Sequence, residues 1–419
     1  MRIVLAHKYF YRGGGTATYI FALLEELQKR GHECIPFTVA YEQTVPREYW
    51  GYYVSPPAGE RTTHLKDMKL SPLESIKLLG RATWSTEAYR QATRLVSDLK
   101  PDIAYVLNIY SYMSPSPIRA FRRQGLPILM RVADFNLVCP GLTAVRQGEA
   151  CLDCADGHYT RGIKYRCHKG SLKGTAARAM TMWAHRWLRI YDDVDTFVTP
   201  SLILRDTLIR AGYPAEKVHH LPSFYPAPPA MPTSAGEEYV LYFGRVAPEK
   251  GLDVLVRALA LMDSDVPVVV AGGDVDGETQ RLQDLANSLG VKSIEFVGMK
   301  QRAELDELIR GCLFSVVPSK VHDNCPMSVL ESFSHAKPVI GAAIGGIPEQ
   351  ITEDCGLLFE PGNPEAMAAQ MQRLLSDADL RHRMGRGAYE RLRTVYSVER
   401  HMEALLGHFE ALCARRSSA

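Results

Sequence analysis

The chain has 419 residues, of which 46% are hydrophobic and 23% charged, a composition typical of a soluble globular protein. This length predicts two or three domains, each large enough to bury its own core. The 49 basic and 47 acidic residues nearly cancel, which argues against nucleic acid as a partner. No apolar run reaches the roughly 20 residues of a membrane span, and the first residues are not typical of a signal peptide. We therefore expect a cytoplasmic protein whose nine cysteines stay reduced.

Short β-branched runs alternate with longer amphipathic segments, a pattern typical of doubly wound α/β domains with parallel sheets. Near the start, residues 13–15 are three glycines that predict a loop. Residues 16–30 then predict a helix that ends at Gly31. In the first half of the chain the predicted strands are residues 3–6, 103–107, 128–132, 196–198 and 218–221.

Five prolines between Pro222 and Pro232 predict an interdomain linker, because proline neither continues a helix nor pairs in a central strand. We expect a first domain over residues 1–222, a linker over 223–237 and a second domain over 238–395. Residues 396–419 are expected to form a helix that can pack back on the first domain. The predicted strands of the second domain are residues 239–243, 266–271, 294–297, 313–317 and 338–341.

Two turns that follow predicted strands carry charged groups. After the strand at 239–243 come Gly244 and two cations, Arg245 and Lys250. A strand that ends at a glycine turn and leads into a helix presents free backbone N–H groups to an anion, and Arg and Lys add positive charge. After the strand at 313–317 a polar turn leads to Ser328 and Glu331, whose two oxygens can accept hydrogen bonds from ribose hydroxyls. Diphosphate, ribose and sugar together make a nucleotide sugar, which indicates a glycosyltransferase.

A series of motifs across residues 239–395 resembles glycosyltransferase family 4, the retaining enzymes whose GT-B fold consists of two Rossmann-like α/β domains. The first half is similar more loosely, through the glycines at 13–15 and through residues 134–140. The resemblance implies transfer of a sugar from a nucleotide donor bound in the cleft between two domains, with retained configuration and no catalytic metal. The motifs lie at residues 243–251, 271–274, 296–298, 318–319, 323–331, 337–340, 345–349 and 356–359.

The resemblance also implies roles for single residues. Arg245 and Lys250 would stabilise the departing diphosphate, and Glu331 would bind the donor ribose. Asp323 stands where the family more often has glutamate, so it would contact the donor sugar with a shorter side chain. The nucleotide base stays open. The remaining expected donor-binding residues approach through their backbone or the start of a helix; they are Gly14, Gly15, Gly244, Gly298, Asn324, Pro326, Met327 and Ser328.

The chain departs from the family near Asp134. Many family members have histidine immediately before this aspartate, whereas this chain has Ala133. Asp134 could still accept a hydrogen bond from a sugar hydroxyl or help to handle the acceptor, so it is kept as a catalytic candidate. By motif position, His7 and His322 are the nearest polar residues that could replace the missing imidazole.

Four of the nine cysteines, Cys139, Cys151, Cys154 and Cys167, fall within one glycine-containing region. Their spacing, with a Cys-x-x-Cys unit at the centre, predicts a structural zinc site. An iron–sulfur cluster and a loop with unbound thiols are the alternatives, and a disulfide is disfavoured in the cytosol. A subset of family-4 enzymes has a similar cysteine-rich stretch, which would then hold a loop on the acceptor side.

Residues 171–191 are basic and contain two tryptophans. Docking on anionic lipid at the inner face of a membrane is one interpretation, and a helix that packs its aromatic side chains inward is the favoured one. The predicted activity is hexosyl transfer to a glycan, lipid-linked or small-molecule acceptor, as in polysaccharide biosynthesis. A non-catalytic nucleotide-sugar-binding paralogue and a nucleotide-sugar epimerase remain as alternatives.

Overall fold

The computed structural model describes residues 1–11, 14–56, 71–232, 238–262 and 264–417. The chain forms two compact units. The first comprises residues 1–144, 152–221 and 402–419, and the second comprises residues 145–151 and 222–401.

Helices and strands alternate along both units. The strands are β1 (Arg2–Ala6), β2 (Glu33–Phe37), β3 (Ile103–Val106), β4 (Ile128–Arg131), β5 (Val145–Arg146), β6 (Glu149–Ala150), β7 (Thr196–Thr199), β8 (Val218–His220), β9 (Tyr239–Phe243), β10 (Val268–Ala271), β11 (Ile294–Gly298), β12 (Cys312–Val317), β13 (Val339–Ala342) and β14 (Gly356–Phe359). The α-helices are α1 (Gly14–Lys29), α2 (Pro72–Thr83), α3 (Thr86–Leu99), α4 (Tyr110–Met113), α5 (Ser116–Arg123), α6 (Thr160–Lys164), α7 (Leu172–Trp187), α8 (Leu202–Arg210), α9 (Leu252–Leu261), α10 (Glu278–Ser288), α11 (Arg302–Gly311), α12 (Met327–Ser334), α13 (Ile347–Gln350), α14 (Pro364–Ser376), α15 (Ala378–Val395) and α16 (Val398–Ser417).

The sheet of the first unit has six parallel strands in the order β2-β1-β3-β4-β7-β8. Strand β2 was not predicted. It contains Pro36, which cannot donate to a ladder and therefore argues against a strand in the sequence. The sheet tolerates Pro36 because β2 lies at its edge, where one side of the strand needs no partner.

The sheet of the second unit is also parallel, in the order β11-β10-β9-β12-β13-β14. Strand β9 has the predicted bounds, and β10 begins two residues later than predicted, at Val268. Strand β14 comes from a motif, residues 356–359, that was not assigned to a strand. Two doubly wound, Rossmann-like α/β units therefore confirm the predicted fold class.

Two helices of the first unit differ in how they use their aromatic residues. On α16, Phe409 is buried and its ring centroid lies 5.6 Å from that of Tyr105 in β3. On α7, Trp187 is 83% exposed and Trp183 is 38% exposed. The prediction that this segment packs its tryptophans inward is therefore wrong for Trp187, whereas Trp183 packs partly against Tyr159; Met182 and His185 occupy the buried side of the helix. Among the described residues, no helix is long and apolar enough to cross a membrane.

Candidate functional site

The strand order of the second unit reverses between β9 and β12. These strands are neighbours in the sheet but far apart in sequence, so the chain leaves them toward opposite sides of the sheet. In open α/β sheets such a reversal opens a crevice at the carboxyl ends of the strands, where ligands bind. The two turns singled out in the sequence, residues 244–251 and 318–326, follow β9 and β12 and therefore lie at this reversal.

The two turns are packed directly against each other. A Cβ atom added to Gly251 would lie 1.9 Å from the Pro318 carbonyl oxygen, and the φ angle of Gly251 is +71°. The Lys320 N–H donates a hydrogen bond of 3.0 Å to the carbonyl of Glu249. On the other side of β9, a Cβ at Gly272 would lie 1.6 Å from the carbonyl oxygen of Gly244. Glycine is required at these contacts because only a bare backbone fits.

Lys250 and Asp323, one from each turn, form an ion pair. The Lys250 Nζ atom lies 2.7 Å from Asp323 Oδ1 and 2.8 Å from Oδ2. Both side chains are about one fifth exposed, at 20% and 19%. The structure therefore brings together two residues that the sequence separates by 73 positions. A second pair joins the turn after β12 to the start of α9, since Lys320 Nζ lies 3.0 Å from both carboxylate oxygens of Asp253.

Arg245 is more open than Lys250. Its side chain is 61% exposed and contacts Glu249 at 3.0 Å. Its backbone is held in place, because the Tyr242 hydroxyl donates a 2.6 Å hydrogen bond to the Arg245 carbonyl. An exposed arginine with one weak surface partner can reorient toward an anion at little cost.

A third loop, which contains Gly345 and Gly346, packs against the backbone of Asp323. The Gly346 N–H donates a 2.7 Å hydrogen bond to the Asp323 carbonyl. A Cβ at Gly345, which has a φ angle of +64°, would lie 2.6 Å from the same oxygen. The motif at 345–349 was noted in the sequence without a role. Its role in the structure is to fix the position of Asp323.

Helix α12 begins at the same edge of the sheet. Pro326 precedes it, so the first helical residues are Met327 and Ser328, and their N–H groups have no acceptor within the helix. The Pro326 carbonyl accepts hydrogen bonds from the Gln350 side chain and from the Val329 N–H, at 3.3 and 3.2 Å. Asn324 lies in the turn just before this helix. This start of α12 offers partial positive charge to an anion.

Glu331 lies one turn further along α12. Its side chain is 12% exposed, and Oε2 accepts a 2.7 Å hydrogen bond from Arg302. Burial raises the pKa of the Glu331 carboxyl group, although Arg302 opposes this shift. Within the described ranges Oε1 has no hydrogen-bond partner, so this oxygen can accept from a ligand. Arg302 was not found in the sequence, because nothing in its helix marks it as the partner of a residue 29 positions away.

Glycines also lie at the carboxyl ends of β9, β10 and β11. Gly298 ends β11 with a φ angle of +70°, and its carbonyl accepts a 2.8 Å hydrogen bond from the Gly272 N–H. Gly244 has a φ angle of +146°, and its N–H donates to the Ala271 carbonyl at 3.0 Å. The carboxyl ends of β9, β10 and β11 are therefore tied together by backbone alone.

In the first unit, Asp134 follows β4 and has well-defined partners. It accepts hydrogen bonds from the Asn136 N–H at 3.1 Å and from the Asn108 side chain at 2.9 Å. Burial raises the pKa of Asp134, opposed by the charges of Lys8 and Arg178. Those two cations were not recognised in the sequence as neighbours of Asp134, because Lys8 follows β1 and Arg178 lies on α7, both far from Asp134 along the chain.

The other candidates of the first unit are His7, Gly14 and Gly15. His7 is buried, and burial lowers its pKa to about 3, so this imidazole is neutral. Ala133 is exposed. Gly14 and Gly15 are the first residues of α1, not part of a loop, and Gly13 lies outside the described ranges.

The cysteines do not form the predicted metal site. Among the described residues, which include all four candidates, no group of three or more His, Cys, Asp or Glu side chains is placed to hold a metal ion. Cys139 and Cys154 instead belong to two different hydrophobic clusters, and Cys151 follows the β5–β6 hairpin. The zinc site and the alternative iron–sulfur cluster are therefore unsupported.

Comparison with known proteins decides the family. The profile described as "Glycosyl transferase 4-like domain" matches residues 14–223, and the one described as "Glycosyl transferases group 1" matches residues 229–391. The chain belongs to these glycosyltransferases. Family members with a D-inositol 3-phosphate glycosyltransferase name are similar to it, for example that of Corynebacterium glutamicum strain R, at 32% identity over 164 residues. An uncharacterized glycosyltransferase of Methanocaldococcus jannaschii is 28% identical over 152 residues.

These curated relatives match only in part. The Corynebacterium match covers 37% of this chain and 39% of the relative, and the Methanocaldococcus match covers 36% and 42%. The chain thus spans about two fifths of the length of these relatives.

Solved structures are similar over nearly the whole chain. The sucrose-phosphate synthase of Thermosynechococcus elongatus has a TM-score of 0.71 at 18% identity and covers 99% of both chains. The Anabaena protein HepE in complex with UDP-glucose has a TM-score of 0.66 at 14% identity and covers 98% of this chain and all of that one. At these identities the likeness shows the GT-B fold of this glycosyltransferase family member.

Proposed function

We propose that this family member is a retaining glycosyltransferase that moves a hexose from a nucleotide-sugar donor to a glycan, lipid-linked or small-molecule acceptor. The donor binds to the second unit and the acceptor to the first. One observation carries the proposal: Lys250 is held beside Asp323 and the start of α12, at the carboxyl edge where the strand order reverses. A fixed cation next to free helix N–H groups is what a diphosphate requires.

In the proposed reaction the bond between the anomeric carbon and the diphosphate oxygen breaks. The acceptor oxygen bonds to the same face of that carbon, and its proton passes to the departing phosphate oxygen. Negative charge develops on the diphosphate as it leaves, so Lys250 and Arg245 stabilise the transition state more than the bound donor. No catalytic metal has a part in this scheme.

The carboxylates have separate roles. Glu331 binds the ribose hydroxyls through Oε1 while Arg302 holds Oε2. Asp323 accepts from a donor-sugar hydroxyl and stabilises positive charge at the anomeric carbon. Asp134, fixed by Asn108 and Asn136, accepts a hydrogen bond from the acceptor. Backbone groups around the diphosphate come from Asn324, Pro326, Met327 and Ser328. Room for the donor is left by four glycines, Gly14, Gly15, Gly244 and Gly298.

A second candidate is a protein that binds nucleotide sugars without turnover. The ion pair between Lys250 and Asp323 favours it, because a neutralised cation stabilises a leaving group less. The exposed Ala133, in the place of the usual histidine, favours it too. An epimerase has no comparable support. A cytoplasmic location, membership of the cysteine-rich subset and a part in polysaccharide biosynthesis rest on the sequence alone.

A ligand screen tests the proposal. We expect one of UDP-glucose, GDP-mannose and ADP-glucose to raise the midpoint of thermal unfolding, since a ligand that binds the folded state stabilises it. Mass spectrometry should then detect loss of the donor and a new glycoside, or slow donor hydrolysis without an acceptor. Stabilisation with an intact donor would support the non-catalytic alternative, and no stabilisation by any nucleotide sugar would overturn both.

The Glu331→Gln variant tests the ribose contact. Hydrogen bonds to a charged group contribute about 1.5–3 kcal/mol, so donor affinity should fall by about 10-fold or more. Because the pKa of Glu331 is raised, the affinity of the unmodified protein should also fall as the pH is lowered through that pKa, a step that the variant lacks. Isothermal titration calorimetry at several pH values measures both effects. The exposed Glu353→Gln is the matched control, and equal affinities of the two variants would contradict the role of Glu331.

A further inference from the structure

Helix α7 carries an exposed apolar stripe. Leu172 and Met180 are each 50% exposed, Trp183 is 38% exposed and Trp187 is 83% exposed. Their spacings of eight, three and four residues place all four along one side of a helix. We call these four residues the α7 stripe. Single exposed apolar residues are ordinary on a protein surface, but four in a line with two tryptophans indicate an interaction site.

The stripe is held rigidly by the rest of the helix. Thr175, Ala179, Met182 and His185 are buried on the other side of α7. Trp183 is also fixed, because its indole N–H donates to the Gly157 carbonyl at 3.3 Å and its ring centroid lies 5.9 Å from that of Tyr159. The apolar side chains are therefore presented outward by a folded helix.

Basic residues outnumber acidic ones around the stripe, although Arg161 and Arg189 at its edges pair with Asp156 and Asp192. Residues 157–191 contain eight lysines and arginines and no aspartate or glutamate. The whole chain has 49 basic and 47 acidic residues, so this segment holds more positive charge than the chain average. Lys164, Lys169 and Lys173 are exposed, in or beside α6 and at the first turn of α7.

We propose that the α7 stripe and these lysines form a docking surface for an anionic lipid bilayer. Tryptophan prefers the headgroup level of a membrane, where its ring is apolar and its N–H is polar. Leu172 and Met180 enter the acyl boundary, as in helices that lie in the plane of the interface. The lysines contact anionic headgroups. Nucleic acid fits the charge and its bases can stack on tryptophan, but it buries the aliphatic Leu172 and Met180 side chains less well than lipid does.

This surface is independent of the proposed transfer reaction. It belongs to the first unit alone, and docking on lipid requires neither a nucleotide sugar nor Lys250. A failure of lipid binding would leave the transferase proposal intact, and a failure of transfer would leave this one intact.

Co-sedimentation of the full chain with vesicles tests the docking surface. We expect binding to vesicles of 70% phosphatidylcholine and 30% phosphatidylglycerol, weakened by salt, and little binding to pure phosphatidylcholine. Each lysine near an anionic surface contributes about fivefold, so Lys169→Gln combined with Lys173→Gln should weaken binding by more than tenfold. Trp187→Ser should weaken it by about tenfold through the lost apolar burial.

Matched variants in the second unit serve as controls. Leu261→Ser removes a side chain that is 55% exposed, and Lys292→Gln with Arg383→Gln removes two exposed charges. Both controls should bind vesicles like the unmodified protein. Equal binding to neutral and anionic vesicles, or full binding by the Trp187 and lysine variants, would overturn the proposal. A dimer that Trp187→Ser dissociates, seen by analytical ultracentrifugation without vesicle binding, would also overturn it and assign the stripe to self-association.

Discussion

Replacing Lys250 with alanine is expected to lower the turnover number for sugar transfer by about 100- to 1000-fold, the usual effect of removing one group that stabilises developing charge. The expectation follows from its position: Nζ is held 2.7 Å from Asp323 at the edge where the strand order reverses. The variant loses a positive charge and leaves Asp323 without its partner. Because both side chains remain partly hydrated, unfolding should become easier by only about 1 kcal/mol.

The comparison with Lys292→Ala isolates the effect of position. Lys292 is exposed between α10 and β11, and its loss removes the same charge from the same unit. Steady-state rates with the donor found in the ligand screen should be unchanged in this control. Circular dichroism and urea unfolding show whether Lys250→Ala stays folded. Undiminished turnover in a folded Lys250→Ala protein would refute its catalytic role.

Replacing Gly251 with alanine is the second large effect that we expect. The new Cβ would lie 1.9 Å from the Pro318 carbonyl oxygen, a backbone atom that cannot move aside like a flexible side chain. The positive φ angle of +71° adds about 1–2 kcal/mol for any residue with a Cβ. Overpacking costs about 1–3 kcal/mol more. The two turns must separate to relieve the clash, so the Lys250–Asp323 pair should open and transfer should be lost.

Gly290→Ala separates the two causes of this effect. Gly290 has nearly the same φ angle, +72°, and nothing lies within 4 Å of its added Cβ. In this control, the free energy of unfolding in urea should fall only by the cost of the positive φ angle. Its transfer activity should be normal. If both glycine variants lose the same free energy of unfolding and keep their activity, the close packing of the turns does not position the site.

Most strands of the second unit could be predicted from the sequence, because buried parallel strands are short apolar runs that end at Gly or Pro. The bounds of β9 are as predicted, β12 begins one residue earlier than predicted, and β13 is shifted by one residue at both ends. Strand β2 was missed because Pro36 is unusual in a strand. The β5–β6 hairpin was missed because its two-residue strands have no hydrophobic pattern. Local pattern fails where a strand is held mainly by its neighbours.

The cysteine region shows the limit of motif spacing. Four thiols at suitable intervals predicted a metal site, yet among the described residues no group of three or more His, Cys, Asp or Glu side chains is placed to hold a metal ion. Spacing along a chain sets how far apart ligands can be, but tetrahedral coordination requires their sulfur atoms to converge on one point.

The identity of the two turns, their glycines and their charges can be found along the chain, because each depends on neighbours within a few residues. The contacts between these residues cannot be found in the same way. Lys250 and Asp323 lie 73 positions apart, and Glu331 and Arg302 lie 29 positions apart. Gly345, which contacts the Asp323 backbone, lies about 20 positions from it. Sheet order creates these contacts, since β9 and β12 become neighbours only when the strands assemble. The exposure of Trp187 is decided in the same way, because the side of α7 that is buried depends on what the rest of the unit packs against it.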